Sequence, residues 1–256
     1  MTDAIRAERR GGVYAITLNR PEAGNAVSDS MIVQLGDLLE AVDSTVRVIT
    51  IEGAGSDFCV GREPPSPGAP RRQMEALELR RAHDIVFRTY GLVRHSRAPV
   101  VAMVRGRALG FGFALAAVAD ITLAADSATF QIPEFAHNIM PTMVMSALID
   151  RVPLKALMHR VYTAAAFGAE EALKIGAISA IEPASQLDNA FKSLLEQLLA
   201  APTPALLAVK EFARNAQAID INKAVEYARA LHAVINSSTE MQRRSKIEGV
   251  DLLLRK

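Results

Sequence analysis

A glycine-rich turn runs directly into an apolar helical segment at Val104-Arg-Gly-Arg-Ala-Leu-Gly-Phe-Gly-Phe-Ala-Leu-Ala-Ala-Val-Ala-Asp120. Gly110 and Gly112 flank Phe111, which predicts a tight turn just before the helix begins. The first N–H groups of a helix have no partner within it, and the helix dipole favours an anion there. The segment therefore predicts either an anion-binding helix start or a turn that serves only close packing.

Composition limits the classes of protein that the chain can be. The 256 residues are 50% apolar and 22% charged, and the formal net charge is +1. This length and composition predict one large domain, or one domain with an appendage, and argue against disorder. The near-zero net charge favours neither nucleic acid nor an anionic membrane surface as a partner. The single cysteine, Cys59, cannot form an internal disulfide and suits a reducing compartment.

Targeting signals are not visible in the sequence. The first ten residues have no apolar core region of the kind that a secretory signal contains. The longest apolar run, Ala108 to Ala119, has twelve residues and includes two glycines, whereas a helix needs about 20 residues to cross a bilayer. We therefore expect a cytoplasmic protein without a membrane partner.

Short β-branched runs alternate with helical patterns in the first part of the chain. The runs lie at 13–18, 46–51, 100–104 and 121–124. The first helical pattern follows Ser28, a candidate N-cap, and its predicted buried positions are Met31, Leu35, Leu38 and Val42. This alternation predicts an α/β fold.

An arginine-rich helix is predicted from Arg71 to Arg94. It follows the segment 64–70, whose four prolines exclude regular structure and predict a surface loop. Its arginines are interpreted first as a solvated helix face, and a phosphate-binding surface is the alternative.

Beyond Ser185 the sequence loses its strand patterns and becomes helical. Helices are predicted at 187–200, 204–217 and 221–236, and the tail 238–256 is predicted to be helical as well. Their apolar positions exceed what a small terminal helix can hide against its own chain. We therefore divide the chain into a core region, residues 1–185, and a helical C-terminal region, residues 186–256, which we expect to contact a partner subunit.

Five segments in chain order resemble the crotonase (enoyl-CoA hydratase/isomerase) superfamily. They are the segment quoted first, Leu18-Asn-Arg-Pro-Glu-Ala-Gly-Asn-Ala-Val-Ser28, Phe58-Cys-Val-Gly-Arg-Glu63, Phe167-Gly-Ala-Glu-Glu-Ala172 with Gly176-Ala-Ile178 and Glu182-Pro183, and Pro204-Ala205 followed by Lys210. A single glycine-rich turn is a weak signal, so the weight lies in the ordered set. The resemblance implies a spiral core of repeated ββα units and a C-terminal helical region for trimerisation. It also implies binding of acyl-CoA thioesters without a metal.

The resemblance also assigns roles to individual residues. Glu134, in Phe130-Gln-Ile-Pro-Glu134, matches a catalytic carboxylate, whereas Ala114 stands where the family's hydratases have a second glutamate. The backbone N–H groups of Arg62 and Phe111 match the oxyanion hole. The remaining residues expected to bind substrate or CoA are Phe58, Val60, Gly61, Gly110 and Gly112.

The chemistry implied by these residues is that of a thioester enolate. Removing a proton from the α-carbon places negative charge on the thioester oxygen, and losing one preorganised N–H donor for such a charge costs about 3 to 4 kcal/mol. One base can take the α-proton and return it at the γ-carbon, which isomerises a double bond without water. Hydration must also orient water over the β-carbon, which family hydratases do with two carboxylates.

Three functions follow in order of preference. The first is isomerisation of an unsaturated acyl-CoA with Glu134 as the base. The second is an enoyl-CoA hydratase that uses Glu134 alone or with a substitute acid, and the third is a catalytically degraded CoA-thioester-binding or scaffold protein. Coenzyme A enters only as part of the substrate, with no tightly bound cofactor, and the chain is expected to form a homotrimer or hexamer.

Several side chains near the predicted site have two interpretations. Arg62 either binds an anionic substituent of the substrate or pairs with Glu63 in solvent. His137, three residues after Glu134, is interpreted as a structural or surface residue. A set of large apolar residues either lines an acyl pocket or, as is more common, packs in the core: Phe111, Phe113, Met140, Met143 and Met145.

Overall fold

The computed structural model describes residues 3–64 and 75–247. The strands are β1 (Ile5–Arg10), β2 (Val13–Leu18), β3 (Val48–Gly53), β4 (Val100–Val104), β5 (Arg107–Leu109), β6 (Ile121–Ala125), β7 (Thr129–Gln131), β8 (Phe167–Gly168) and β9 (Ala180–Glu182). The α-helices are α1 (Asp29–Glu40), α2 (Ala76–Ala82), α3 (Asp84–His95), α4 (Phe111–Val118), α5 (Thr142–Leu148), α6 (Leu154–Thr163), α7 (Ala169–Lys174), α8 (Leu187–Ala200), α9 (Thr203–Ala216), α10 (Ile221–Asn236) and α11 (Thr239–Ile247). Short 3-10 helices lie at Pro21–Ala23 and Glu134–His137.

The larger sheet has six strands in the order β1-β2-β3-β4-β6-β9. β1 and β2 form an antiparallel hairpin, and every neighbouring pair from β2 onward is parallel. Strands of a parallel sheet that is covered on both faces are apolar throughout. β4 fits this rule, because all of its residues are buried.

The smaller sheet runs in the order β5-β7-β8, and isolated bridges join Val27 to Arg62 and Cys59 to Ala108 beside it. Consecutive strands alternate between the two sheets, since β4 and β6 belong to the larger sheet and β5 and β7 to the smaller one. A helix follows each such pair, α4 after β5 and α5 after β7. The chain therefore advances as repeated ββα units, which confirms the predicted α/β spiral.

Helix α1 begins where the sequence predicts. The Ser28 hydroxyl accepts a hydrogen bond from the Met31 N–H at 3.3 Å, as an N-cap does. The predicted buried positions are only half right, because Leu38 and Val42 are half-buried and the helix ends at Glu40. Its fully buried apolar side chains are Met31, Ile32, Leu35 and Leu39.

The predicted helix from Arg71 to Arg94 is interrupted. Residues 71–74 and most of the proline segment lie outside the described residues, and the helical part breaks at His83 between α2 and α3. α3 buries a face at helical spacing and contacts α1, whereas α2 buries none of its residues. The break separates α3, which has an apolar stripe to bury, from α2, which stays at the surface.

The C-terminal region is helical as predicted, with α8, α9 and α10 close to their expected bounds. α11 accounts for the first part of the predicted helical tail, and residues 248–256 lie outside the described part of the chain. The use of this region for trimerisation, and the division of labour between residues 1–185 and 186–256, stay predictions.

Membrane-spanning helices and metal-binding clusters are both absent from the described residues. No helix in the ranges 3–64 and 75–247 combines the length and apolar character needed to cross a bilayer. In the same ranges, no group of three or more His, Cys, Asp and Glu side chains is placed to hold a metal ion. The cytoplasmic location stays a prediction.

Candidate active site

The loop that leads to Arg62 is held by two polar anchors. Asn25 is fully buried in the left-handed region, at φ 57, and its side-chain amide donates to the carbonyls of Ala54 at 2.8 Å and Asp57 at 2.7 Å. The Asp57 carboxylate accepts hydrogen bonds from the backbone N–H, Nε and Nη2 of Arg107, on β5. These bonds from the Arg107 guanidinium also lower the pKa of Asp57. Both anchors fix the first part of the loop, from Ala54 to Asp57.

Arg62 lies beside Val27 in a parallel bridge, and this pairing fixes the direction of its backbone. The Val27 N–H donates to the Gly61 carbonyl, and the Glu63 N–H donates to the Val27 carbonyl, both at 2.9 Å. In such a bridge the N–H of the central residue points away from the paired strand. Within the described ranges, the Arg62 N–H has no hydrogen-bond acceptor, so it is available as a donor.

The turn before α4 places a second free N–H close by. Gly110 adopts φ 50 and ψ −115, a conformation that favours glycine, and Phe111 then begins the helix with an ordinary negative φ. A Cβ on Gly112 would lie 2.2 Å from the carbonyl oxygen of Cys59, so only glycine allows α4 to approach the loop before Arg62. Among the residues described, no acceptor receives a hydrogen bond from the Phe111 N–H.

Glu134 packs against this same turn. Its Oε1 lies 2.7 Å from the point where a Cβ on Gly110 would stand, and the Gly110 N–H donates to the carbonyl of Gln131 at 3.0 Å. The other carboxylate oxygen, Oε2, is buried and has no hydrogen-bond partner in residues 3–64 and 75–247. Burial raises the pKa of Glu134, opposed by the bond to its own backbone N–H and by the charge of His137. The turn thus brings the carboxylate and the Phe111 N–H together.

Ala114 is fully buried one turn into α4, where its N–H donates to the Gly110 carbonyl at 3.0 Å. Its methyl group leaves no carboxylate on this face of the helix. The site therefore has one glutamate at the place where the sequence predicts one.

The other predicted contact residues are positioned by backbone bonds. Phe58 is fully buried and its N–H donates to the carbonyls of Arg105 and Arg107, so its side chain belongs to the core. Val60 is half-buried and its N–H donates to the Gly24 carbonyl at 3.0 Å. Their expected part in CoA binding stays a prediction.

The expected pairing of Arg62 with Glu63 is wrong. Glu63 instead forms an ion pair with Arg20, whereas Arg62 Nη2 pairs with Asp29 at the start of α1, at 2.6 Å. Arg62 Nη1 also contacts the sulfur of Met143 at 3.9 Å. The guanidinium therefore bridges α1 and α5 and does not extend into solvent.

The large apolar residues divide between core and surface. Phe113 is 1% exposed and lies in a ring cluster with Phe130 and Phe167, so it is a core residue. Met140 is 69% exposed. His137 is exposed, as expected for a surface residue.

Two of the arginines on α3 have structural partners. Arg88 contacts Asp37 and Glu40 on α1, and Arg94 forms a bidentate pair with Asp150 at 2.5 and 2.6 Å. Arg80 and Arg81, on α2, are exposed, and no ion-pair partner for them lies in the part of the chain that the structure describes. These two keep the phosphate-binding interpretation open.

Tyr90 is a residue of this site that sequence reasoning missed. Its ring stacks on that of Phe111, with centroids 5.4 Å apart and planes at 29°. Its position on α3 follows the helical spacing of the buried stripe Val86, Thr89, Tyr90 and Val93. In a sequence this is the pattern of a core residue, and no local signal sets it apart.

Comparisons with known proteins identify the family of the chain. The family model described as Enoyl-CoA hydratase/isomerase matches residues 8–254. Carnitinyl-CoA dehydratase from Escherichia coli K12 is 29% identical over 238 residues, covering 90% of this chain and 87% of that protein. The structure of Pseudomonas aeruginosa AtuE is 29% identical with a TM-score of 0.88, covering 97% of each chain. A Thermobifida fusca YX protein solved in complex with acetoacetyl-CoA is 26% identical with a TM-score of 0.81, covering 90% of this chain and 94% of that one.

Proposed function

Because the chain belongs to the enoyl-CoA hydratase/isomerase family, we propose that it shifts the double bond of an unsaturated acyl-CoA through an enolate, with Glu134 as the base. The observation that carries this proposal is the environment of Glu134. One of its oxygens is buried without a partner among the described residues, beside the turn that presents the Phe111 N–H. The same face of α4 carries Ala114 in place of a second acid.

The proposed reaction moves one proton along the acyl chain. Glu134 takes a proton from the α-carbon of a β,γ-unsaturated thioester, and the electron pair of that C–H bond delocalises onto the thioester oxygen. The N–H groups of Arg62 and Phe111 donate to this oxygen, and preorganised donors of this kind stabilise the charge without rearranging. Glu134 then returns the proton at the γ-carbon, which leaves an α,β-unsaturated product and the original carboxylate.

The raised pKa of Glu134 suits a carboxylate that both accepts and returns a proton. Burial disfavours its charged form, so the protonated intermediate is less costly than it is for an exposed glutamate. General-base catalysis of this kind contributes a factor of about 10² to 10⁴.

Coenzyme A is proposed to bind along the loop from Phe58 to Arg62, with its phosphates near Arg80 and Arg81. Both arginines are exposed on α2, the helix that follows this loop in the chain. Arg88 and Arg94 are excluded from this role, because they are already paired with acidic side chains.

Reversible hydration is a second candidate, favoured by one observation. A relative that is 29% identical is named carnitinyl-CoA dehydratase, and a dehydratase removes water from its substrate. With Ala114 in place of a second acid, this chain would need Glu134 alone, or another group, to orient the water.

A pair of substrates tests the proposal. Purified protein is incubated with a β,γ-unsaturated and, separately, an α,β-unsaturated acyl-CoA of equal chain length, and the products are identified by chromatography and mass. We expect the first to become its α,β-isomer, with the second gaining no water. Hydration of the second alone would replace the proposal by its alternative. Thermal stabilisation by both thioesters without either reaction would indicate a binding or scaffold protein.

The protein is also proposed to be a homo-oligomer, most simply a trimer or a pair of trimers. The support comes from exposed apolar side chains on the C-terminal helices, including Val209 at 70% and Ile221 at 71%. Exposed apolar surface of this kind marks contact sites.

A further inference from the structure

The hydroxyl of Tyr90 is an anomaly among the buried hydroxyls of the described residues. The residue is 3% exposed, and its Oη has no hydrogen-bond partner in the described ranges. Buried polar groups are almost always paired, so an unpaired one needs an explanation. Other buried hydroxyls here are paired, since Thr89, the preceding residue, donates to the Ile85 carbonyl at 2.9 Å.

The position of Tyr90 suggests what its hydroxyl serves. Its ring stacks on Phe111, the residue whose N–H is proposed to hold the thioester oxygen. Ala114 lies three residues further along α4, and residues at this spacing share a helix face. The Tyr90 phenol therefore packs on the face of α4 that carries Ala114 in place of a glutamate.

The charges around the phenol point to the same place. Burial, followed by the negative charge of Glu134, holds the pKa of Tyr90 well above its usual range. The phenol therefore stays protonated at physiological pH, which makes it a hydrogen-bond donor and not a base. Glu134 and Tyr90 thus form a pair of buried groups, one acceptor and one donor, and each has an atom unpaired in the described part of the chain.

We propose that the Tyr90 hydroxyl donates a hydrogen bond to the acyl group of a bound thioester, in the place that Ala114 leaves without a polar group. With the thioester oxygen held at Phe111 and the α-carbon at Glu134, the next atom of the acyl chain is the β-carbon. A thioester with an oxygen on the β-carbon, as a hydroxyl or a ketone, is therefore bound more tightly than the same thioester without that oxygen. This inference rests on the proposed binding of acyl-CoA at the Glu134 site, but not on isomerisation being the reaction.

Binding measurements separate this proposal from the activity. Acetoacetyl-CoA and butanoyl-CoA have the same chain length and differ at the β-carbon by one oxygen, and neither has a carbon–carbon double bond to shift. Calorimetric titration of the wild-type protein should give a dissociation constant about tenfold lower for acetoacetyl-CoA, since a group left unpaired in a buried site costs about 1 to 3 kcal/mol. Tyr90→Phe should abolish this preference, so that both thioesters bind equally, while leaving the affinity for butanoyl-CoA unchanged.

A matched control removes a hydroxyl from another buried tyrosine. Tyr14 is 8% exposed on β2, where the Arg9 guanidinium lies 5.5 Å from its ring centroid. Tyr14→Phe should keep the wild-type preference for acetoacetyl-CoA. The melting temperature of unliganded Tyr90→Phe should equal or exceed that of the wild type, because an unpaired hydroxyl is replaced by hydrogen.

Each other outcome contradicts the inference. A Tyr90→Phe variant that keeps the preference, or a wild type that binds both thioesters equally, would overturn it while leaving the proposed function intact. A marked fall in melting temperature would show that the hydroxyl is bonded in the free protein, which also overturns it. If the wild type binds neither thioester, the proposed function itself fails, and the inference fails with it.

Discussion

Helices α4 and α10 differ in how much of themselves they bury. All eight residues of α4 are buried at the centre of the core. α10 has sixteen residues and buries only Ala224, while Val234 is 65% exposed. The candidate site is therefore built around a helix that the single chain buries completely. The C-terminal helices, in contrast, leave apolar side chains exposed.

The contact between the two regions combines an apolar cluster, in which Leu206 packs on Val48 and Val101, with a buried polar one. Lys210, on α9, is 5% exposed, and its ammonium group donates to Asp120 at 2.7 Å and to the carbonyls of Val93 at 3.0 Å and Ala98 at 3.2 Å. Burial lowers the pKa of Lys210, opposed by Asp120. A cavity of about 400 Å³ lies on the far side of α9, lined by residues of α9, α10 and α11. Lys210 on α9 therefore bonds the C-terminal region to the core, whereas the cavity between α9, α10 and α11 is lined by the C-terminal helices alone.

Removing the ion pair between Lys210 and Asp120 should have the largest effect on stability. Lys210→Met removes the buried cation that pairs with the partly exposed Asp120. Asp120 keeps the bond from the Val100 N–H, and the two carbonyls keep those from the Ser96 hydroxyl, so we expect a loss of about 1 to 3 kcal/mol in the free energy of unfolding. The measurement is denaturation with urea. Lys155→Met, at an exposed position on α6, is the control and should change little. A loss below about 1 kcal/mol for Lys210→Met would mean that the Lys210 ion pair does not hold the two regions together.

The exposed face of α10 tests whether a second copy covers it. Ile221 and Val225 are four residues apart and 71% and 49% exposed, so they share one face of the helix. Replacing both with Glu should convert the oligomer to a monomer, because each apolar side chain contributes about 1.5 to 3 kcal/mol when it is fully buried. Light scattering reports the mass. Leu154→Glu, at a 60% exposed surface position within residues 1–185, should leave the mass unchanged, and a monomeric wild type would contradict the prediction.

Placing a glutamate at position 114 tests what the buried helix α4 contributes to the reaction. Ala114→Glu places a carboxylate on a helix that has no spare volume, so stability should fall by about 1 to 3 kcal/mol. Hydration of an α,β-unsaturated acyl-CoA should appear or rise at the same time. Ala117→Glu, on the same buried helix, should lose stability without gaining hydration. An equal gain of hydration in both variants would show that hydration does not require the carboxylate to be at position 114.

Much of the larger sheet and of α1 could be predicted because their patterns are long. β2 and β4 lie at the predicted positions, and Ser28 caps its helix. β1, in contrast, has the sequence Ile-Arg-Ala-Glu-Arg-Arg and buries only Ile5, so no apolar alternation marks it. The strands of the smaller sheet have at most three residues, which is too short for a pattern to emerge.

The site itself could be predicted only where it follows motifs. The roles of Glu134 and of the turn at Phe111 were predicted because the motifs around them resemble those of a family, whereas Tyr90 lies on a helix whose sequence pattern is that of ordinary core residues. The partner of Arg62 depends on where α1 and α5 pack, and no local rule gives that. Tertiary contacts, and not propensity, decide these cases.

The smallest expected effect is a shift in the pH profile. Because burial raises the pKa of Glu134, the active carboxylate form is lost as pH falls through that raised value, at a higher pH than for an exposed glutamate. kcat/KM for isomerisation should therefore rise with pH across this range and then level off. Rates measured in buffers of constant ionic strength give the profile. A rate that is constant down to the pKa of an ordinary glutamate would contradict the role given to burial.

The central claim, that one buried carboxylate in a self-contained core moves the proton, is tested most directly by Glu134→Gln. This change keeps the shape of the side chain and removes the proton acceptor, so isomerisation of a β,γ-unsaturated acyl-CoA should slow by about 10² to 10⁴. The dissociation constant for the saturated thioester of equal length, measured on the same preparation, should stay within about twofold of the wild type, since binding relies on other groups. A Glu134→Gln protein that binds the thioester and turns over at the full wild-type rate would place the base elsewhere and contradict the account.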